Sequence, residues 1–160
     1  MKAKSIKGKS IEEIKVALSQ SMEDARLPDG QGFTPTLAIA FISKSLDRIA
    51  ITELLDQAGV TVFGCTTNGE FIDEETEKGS AAILLLDMNR DYFEVYFEEY
   101  PQKNYREVSH SLAQKAKAKF ENPAFFIGTS NGETDGEEVL RGIEEVAGED
   151  VHAFGGAAGD

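Results

Sequence analysis

The chain has 160 residues, enough for one domain with its own core. Its 29 acidic and 16 basic residues leave a formal charge of −13, which repels nucleic acid and anionic membrane surfaces. The single cysteine, Cys65, excludes an intramolecular disulfide, and no paired Cys/His spacing of the zinc-binding kind is present.

The N-terminal MKAKSIKGKS is basic but has no apolar signal-peptide core, and no apolar run approaches the length of a membrane span. A soluble, cytoplasmic protein without membrane insertion is the expectation. Lys2 to Lys7 alternates and reads as an edge strand. Ser10-Ile11-Glu12-Glu13 has capping-box spacing, and Ile11, Ile14, Leu18, Met22 and Ala25 then line one face of a helix to about Arg26. Pro28 to Gly32 is a loop.

Thr36 to Ser43 is an apolar run of the buried-strand type, followed by a helix over Leu46 to Ala58 and a strand over Val60 to Phe63. Together they make a β-α-β unit, which implies parallel strands. Gly64 to Phe71 then reads as a loop, with acids from Asp73 to Glu77 beyond it. Ala81 to Met88 and Tyr92 to Tyr100 read as an antiparallel hairpin, and Tyr105 to Phe120 as a lysine-rich helix. A second β-α-β unit follows, with strands at Ala124 to Thr129 and Val151 to Phe154 and a helix starting near Thr134 and stopped by Gly148. The expected fold class is α/β: a mixed β-sheet flanked by helices, built from two similar β-α-β units with an intervening antiparallel hairpin. Aligning Phe63-Gly64 with Phe154-Gly155 suggests a repeat, in which case the two units form similar halves of one sheet; convergent β-α-β patterning is the alternative.

In open α/β sheets ligands bind beyond the carboxyl ends of the parallel strands. Those ends here carry Cys65, Thr66, Thr67, Asn68, Thr129, Ser130, Asn131 and Thr134, so one shared pocket is expected. Its candidate ligand-binding residues are Gly64, Cys65, Thr66, Thr67, Asn68, Gly69, Glu70, Asp135, Gly155, Gly156 and Asp160. Hydroxyls, amides and a few carboxylates suit a small zwitterion such as an amino acid: loop N–H groups for its carboxylate, and Glu70, Asp135 or Asp160 for its ammonium. Tight turns and close packing are the competing explanation for the glycines.

Other chemistries stand beside that one. Gly64 to Gly69 has phosphate-loop spacing, but Glu70-Phe71 replaces the required Lys and Ser/Thr, and the carboxylate opposes phosphate. Cys65 as a nucleophile needs a base, and the only histidines are His110 and His152. His152 is also the candidate axial ligand if haem is a cofactor. A third possibility is a protein-binding face on the hairpin, where Tyr92, Tyr96 and Tyr100 alternate with acids.

Gly64-Cys65-Thr66-Thr67-Asn68-Gly69-Glu70-Phe71 resembles the GCST-x-GE-I motif of FIST domains. Asp135 to Ile143 and Phe154 to Asp160 resemble that family's D-G-E…L…G and F-GG-AAGD motifs. The resemblance spans nearly the whole chain and matches the N-terminal FIST region. It implies a non-enzymatic sensory domain of bacterial signal transduction that binds a small ligand, usually proposed to be an amino acid; some relatives bind haem and sense nitric oxide. The implied partners are a C-terminal FIST region and an output protein such as a histidine kinase, cyclase or chemoreceptor. Family members continue beyond the AAGD motif whereas this chain stops at Asp160. A single domain over residues 1–160, truncated at its C-terminus, is therefore expected, a stand-alone short form being the alternative.

Overall fold

A computed structural model describes residues 1–23, 32–72, 75–130 and 134–159. The chain divides into two compact units, residues 1–95 with 159–160 and residues 96–158.

The first unit is built on a mixed four-stranded sheet of β1 (Lys2–Gly8), β2 (Leu37–Ser43), β3 (Thr61–Thr67) and β6 (Ala81–Asp87), in the order β1-β6-β2-β3. Helix α1 (Ile11–Glu23) starts where the capping box places it: the Glu13 N–H donates to Ser10 Oγ at 3.2 Å, and Glu13 Oε2 accepts from the Lys9 N–H at 2.8 Å. Helix α2 (Arg48–Gln57) is capped by Asp47, whose Oδ1 accepts from the Ala50 N–H at 3.0 Å. The apolar periodicities converge on one core, in which Ile14, Ile51, Leu55, Ile83 and Leu85 are almost fully inaccessible. β2 and β3 run parallel with α2 between them in sequence, the first β-α-β unit.

The second unit contains α3 (Tyr105–Lys119), β7 (Phe125–Thr129), α4 (Gly136–Ala147) and β8 (Ala153–Ala157). β7 and β8 pair in parallel, the second β-α-β unit, and Gly148 ends α4 with a positive φ of 92°. A separate core gathers Tyr105, Ala113, Val139 and Ile143.

Four expectations need correction. First, Tyr92 to Tyr100 is not a strand, and Ala81 to Met88 does not form a hairpin with it. The reason lies in the ladder: β6 is central, with one edge paired to β1 and the other to β2, so no edge remains for a hairpin partner. An antiparallel ladder does lie between the two β-α-β units in sequence, but it joins β4 (Glu70–Ile72) to β5 (Glu75–Glu77).

Second, the glycines expected to open loops lie inside strands. β3 continues through Gly64 to Thr67, and β8 contains Gly155 and Gly156. Gly64 is opposite Ala40 and Gly155 opposite Ile127. A Cβ at either would come within 1.9 Å of the facing carbonyl oxygen, so glycine lets the parallel partners approach. Third, β7 and β8 form a two-stranded sheet of their own instead of half of one sheet. Fourth, His152 lies one residue before β8: its carbonyl accepts from the Phe125 N–H at 2.8 Å, so its backbone joins the ladder as expected, but the residue is exposed. The end of the first helix beyond Glu23 and nearly all of the Pro28 to Gly32 loop lie outside the described residues.

Candidate functional site

In the first unit the carboxyl ends of β2 and β3 meet the start of β6, and a buried carboxylate joins them. Glu70, only 3% exposed, follows the turn at Asn68-Gly69. The Thr67 hydroxyl donates to its Oε1 at 2.5 Å, and the Ser80 N–H and hydroxyl donate to its Oε2 at 3.1 and 3.0 Å. Burial pushes the Glu70 carboxyl up, but donation from Thr67 and Ser80 outweighs it and holds the pKa below its ordinary value. Ser80 is itself buried, and its carbonyl accepts from the N–H of Ser43, the last residue of β2, at 2.9 Å. The Ser43 hydroxyl lies 3.1 Å from that of Ser45.

This geometry changes the part Glu70 plays. Both carboxylate oxygens are engaged internally, so Glu70 fixes the turn after β3 against the head of β6 and is shielded from an incoming ammonium. Ser80, the partner that does most of the fixing, was missed in the sequence. Its only signal there was a hydroxyl directly before an apolar strand.

The rest of the motif surrounds this anchor. Thr66 and Thr67 are half-buried at the end of β3, and Asn68 and Gly69 are exposed beyond it. Gly159 lies against them: its N–H donates to the Thr66 carbonyl at 3.1 Å, and the Gly159 carbonyl accepts from Asn68 Nδ2. A Cβ on Gly159 would lie 3.2 Å from the Asn68 backbone nitrogen, so a small residue suits that contact. Asp160 lies outside the described residues. Cys65 is half-buried on β3, opposite Phe41. Because Gly64 to Thr67 is extended strand, its N–H groups do not curl into a phosphate cradle.

The second unit holds a different polar cluster at the end of β7. The Tyr100 hydroxyl lies 2.8 Å from Ser130 Oγ and 2.9 Å from Thr134 Oγ1 and accepts from the Ser130 N–H at 3.0 Å. Burial pushes this phenol up, while the Ser130 and Thr134 bonds bring it net below its usual value. Tyr100 therefore braces the segment after β7 and is not one of a row of outward tyrosines. Asp135 is the N-cap of α4: its Oδ1 accepts from the Glu137 and Glu138 N–H groups at 3.1 and 3.2 Å. Gly155 and Gly156 are residues of β8, and Asn131 lies outside the described residues.

The two histidines, weighed above as a base for Cys65 and as an axial haem ligand, both lie in the second unit. His110 Nδ1 lies 3.4 Å from Glu145 Oε2 on the surface where α3 and α4 pack together. His152 is solvent-exposed, which does not fit the enclosed apolar slot of a haem axial ligand. Among the described residues no group of three or more His, Cys, Asp or Glu is placed to hold a metal ion. No helix among them is long and apolar enough to cross a membrane.

No curated protein and no solved structure matches the chain. The model of the FIST N domain matches residues 36–160, a range that contains the Gly64–Glu70 segment, Ser80, Asp135 and the Gly155–Asp160 segment. The chain therefore belongs to the FIST family, whose domains are generally sensory domains of signal transduction and are not a known enzyme family.

Proposed function

We propose that this FIST N chain binds a small polar metabolite of the amino-acid type at the rim formed by Thr66, Thr67, Asn68 and Gly69, and passes the bound state to a signalling protein. The observation that carries the proposal is the Glu70 anchor. A buried, ionised carboxylate with three donors fixes the hydroxyl-bearing carboxyl end of β3 and the short bend beyond it, where two parallel strands end. An ordered rim loses less conformational entropy when a ligand docks, so preorganisation favours binding. The position beyond the strand ends is where open α/β sheets place ligands. A C-terminal FIST region and an output protein, of the histidine kinase, cyclase or chemoreceptor kind, are the partners this role calls for.

The test is a thermal-shift panel of amino acids and related metabolites. A ligand that binds only the folded state at a hundredfold excess over its Kd stabilises by about 2.7 kcal/mol, a clear rise in Tm. Thr66→Ala is expected to remove the rise. A panel in which no compound raises Tm overturns the proposal.

A further inference from the structure

The hydrogen positions around Glu70 determine which chemical group the rim accepts. An ionised carboxylate only accepts hydrogen bonds, so the Thr67 hydroxyl, 2.5 Å from Oε1, must spend its single proton on Glu70. The Ser80 hydroxyl and N–H spend theirs on Oε2, so no second donor arrangement is available to that oxygen. What Thr67 Oγ1 then presents to an incoming molecule is lone-pair density, with a negative charge directly behind it. Thr67 is half-buried and Asn68 next to it exposed, while Glu70 is buried. One Asn68 Nδ2 bond goes to the Gly159 carbonyl.

We infer that the turn is a receptor for a cationic N–H donor: Thr67 Oγ1, its proton held by Glu70, accepts from the ammonium or amidinium head of a small ligand and disfavours carboxylates and phosphates. The inference rests on the ligand-sensing proposal above and deepens it by naming the end of the ligand that docks here. Thr67 is then the specificity-determining contact, and Glu70 a positioning residue that acts through it. The excess of 29 acidic over 16 basic residues favours the same sign of ligand.

Substituting Glu70 by Gln reverses this polarity without changing shape. The Ser80 donors need an acceptor, so they take the carboxamide oxygen, and the carboxamide NH2 turns to Thr67. The Thr67 hydroxyl then accepts from the NH2 and turns its proton outward. The rim becomes a donor.

The experiment titrates the isotopically labelled chain with two probes and follows the backbone amide resonances of Thr66 to Gly69. Glycinamide carries an ammonium and no carboxylate; N-acetylglycine carries a carboxylate and no ammonium. Glycinamide is expected to shift Thr67 and Asn68 with at least about tenfold higher affinity than N-acetylglycine, the scale of one charge-assisted hydrogen bond. Glu70→Gln is expected to reverse that order. Thr67→Val should abolish the glycinamide response and Thr67→Ser retain it. N-acetylglycine binding as well as or better than glycinamide overturns the inference while leaving ligand sensing intact, and so does a Glu70→Gln protein with the original order. If neither probe moves these resonances the inference also fails, and the metabolite panel judges sensing separately. The comparison of the two probes on the unmodified chain decides the matter even if a variant does not fold.

Discussion

Glu70 carries the densest hydrogen bonding at the candidate site, and its protonation should be visible in stability. Its folded pKa lies below the ordinary glutamate value of about 4.3 because the Thr67 and Ser80 donors outweigh the cost of burial. A carboxyl with a depressed folded pKa contributes stability that is complete above its unfolded pKa and is lost as pH falls through the folded one. Urea melts at neutral pH should therefore find Glu70→Gln less stable by about 1–3 kcal/mol, the range for disturbing a buried hydrogen-bonded polar group. The gap should begin to close as pH falls below the ordinary glutamate value of about 4.3 and go on closing until the lower folded pKa is passed. A gap that stays constant down to pH 3 would mean that the charge of Glu70 contributes nothing and only its shape matters. The motif letters showed this residue, but its role comes from Ser80, ten residues along the chain. A contact made by β6 returning beside β2 has no local signature.

At the scale of elements, the two parallel pairs explain the glycines better than loop chemistry does. Periodicity identified the β-α-β units because burial of one helix face and of a whole strand leaves a local pattern. The caps at Ser10, Asp47 and Asp135 are likewise local, and the first and third were legible as a capping box and a helix start. What stayed hidden was pairing. The alternation of Tyr92 to Tyr100 looks like the second strand of a hairpin with β6, yet both edges of β6 are taken, by β1 and β2. Gly64 and Gly155 looked like the ends of strands because glycine disfavours strand interiors, and only the register shows each beneath a partner carbonyl. Gly64→Ala and Gly155→Ala should each cost about 3 kcal/mol or more, since a backbone carbonyl cannot move aside as a flexible side chain would. Gly155 adds strain through its φ of 144°. Gly156→Ala is the control: open space surrounds the position, and its stability should stay within about 0.5 kcal/mol of the parent. Equal losses at Gly155 and Gly156 in denaturant melts would refute the steric account.

At the scale of the whole molecule, charge decides how the protein responds to salt, and two opposing effects must be weighed. The −13 excess repels itself in the compact state, which salt relieves by shortening the screening length from about 30 Å at 0.01 M to about 8 Å at 0.15 M. The same salt weakens favourable pairs on α3 and α4, where Arg106 meets Glu145 and Arg141 meets Glu137 and Glu138. Those pairs are exposed, and exposed pairs contribute little each even at low salt. The uncompensated acids of the sequence number thirteen. Relief of repulsion should dominate, so Tm is expected to rise between about 0.01 and 0.15 M sodium chloride. On the cation-accepting rim proposed above, the acidic field should have the opposite effect: a cationic probe is expected to associate more slowly as salt rises and screens the field, while the fold becomes more stable. A fall in Tm over that range would show that the arginine pairs outweigh the net charge. A salt-independent association rate for glycinamide would show that the acidic field does not reach the rim.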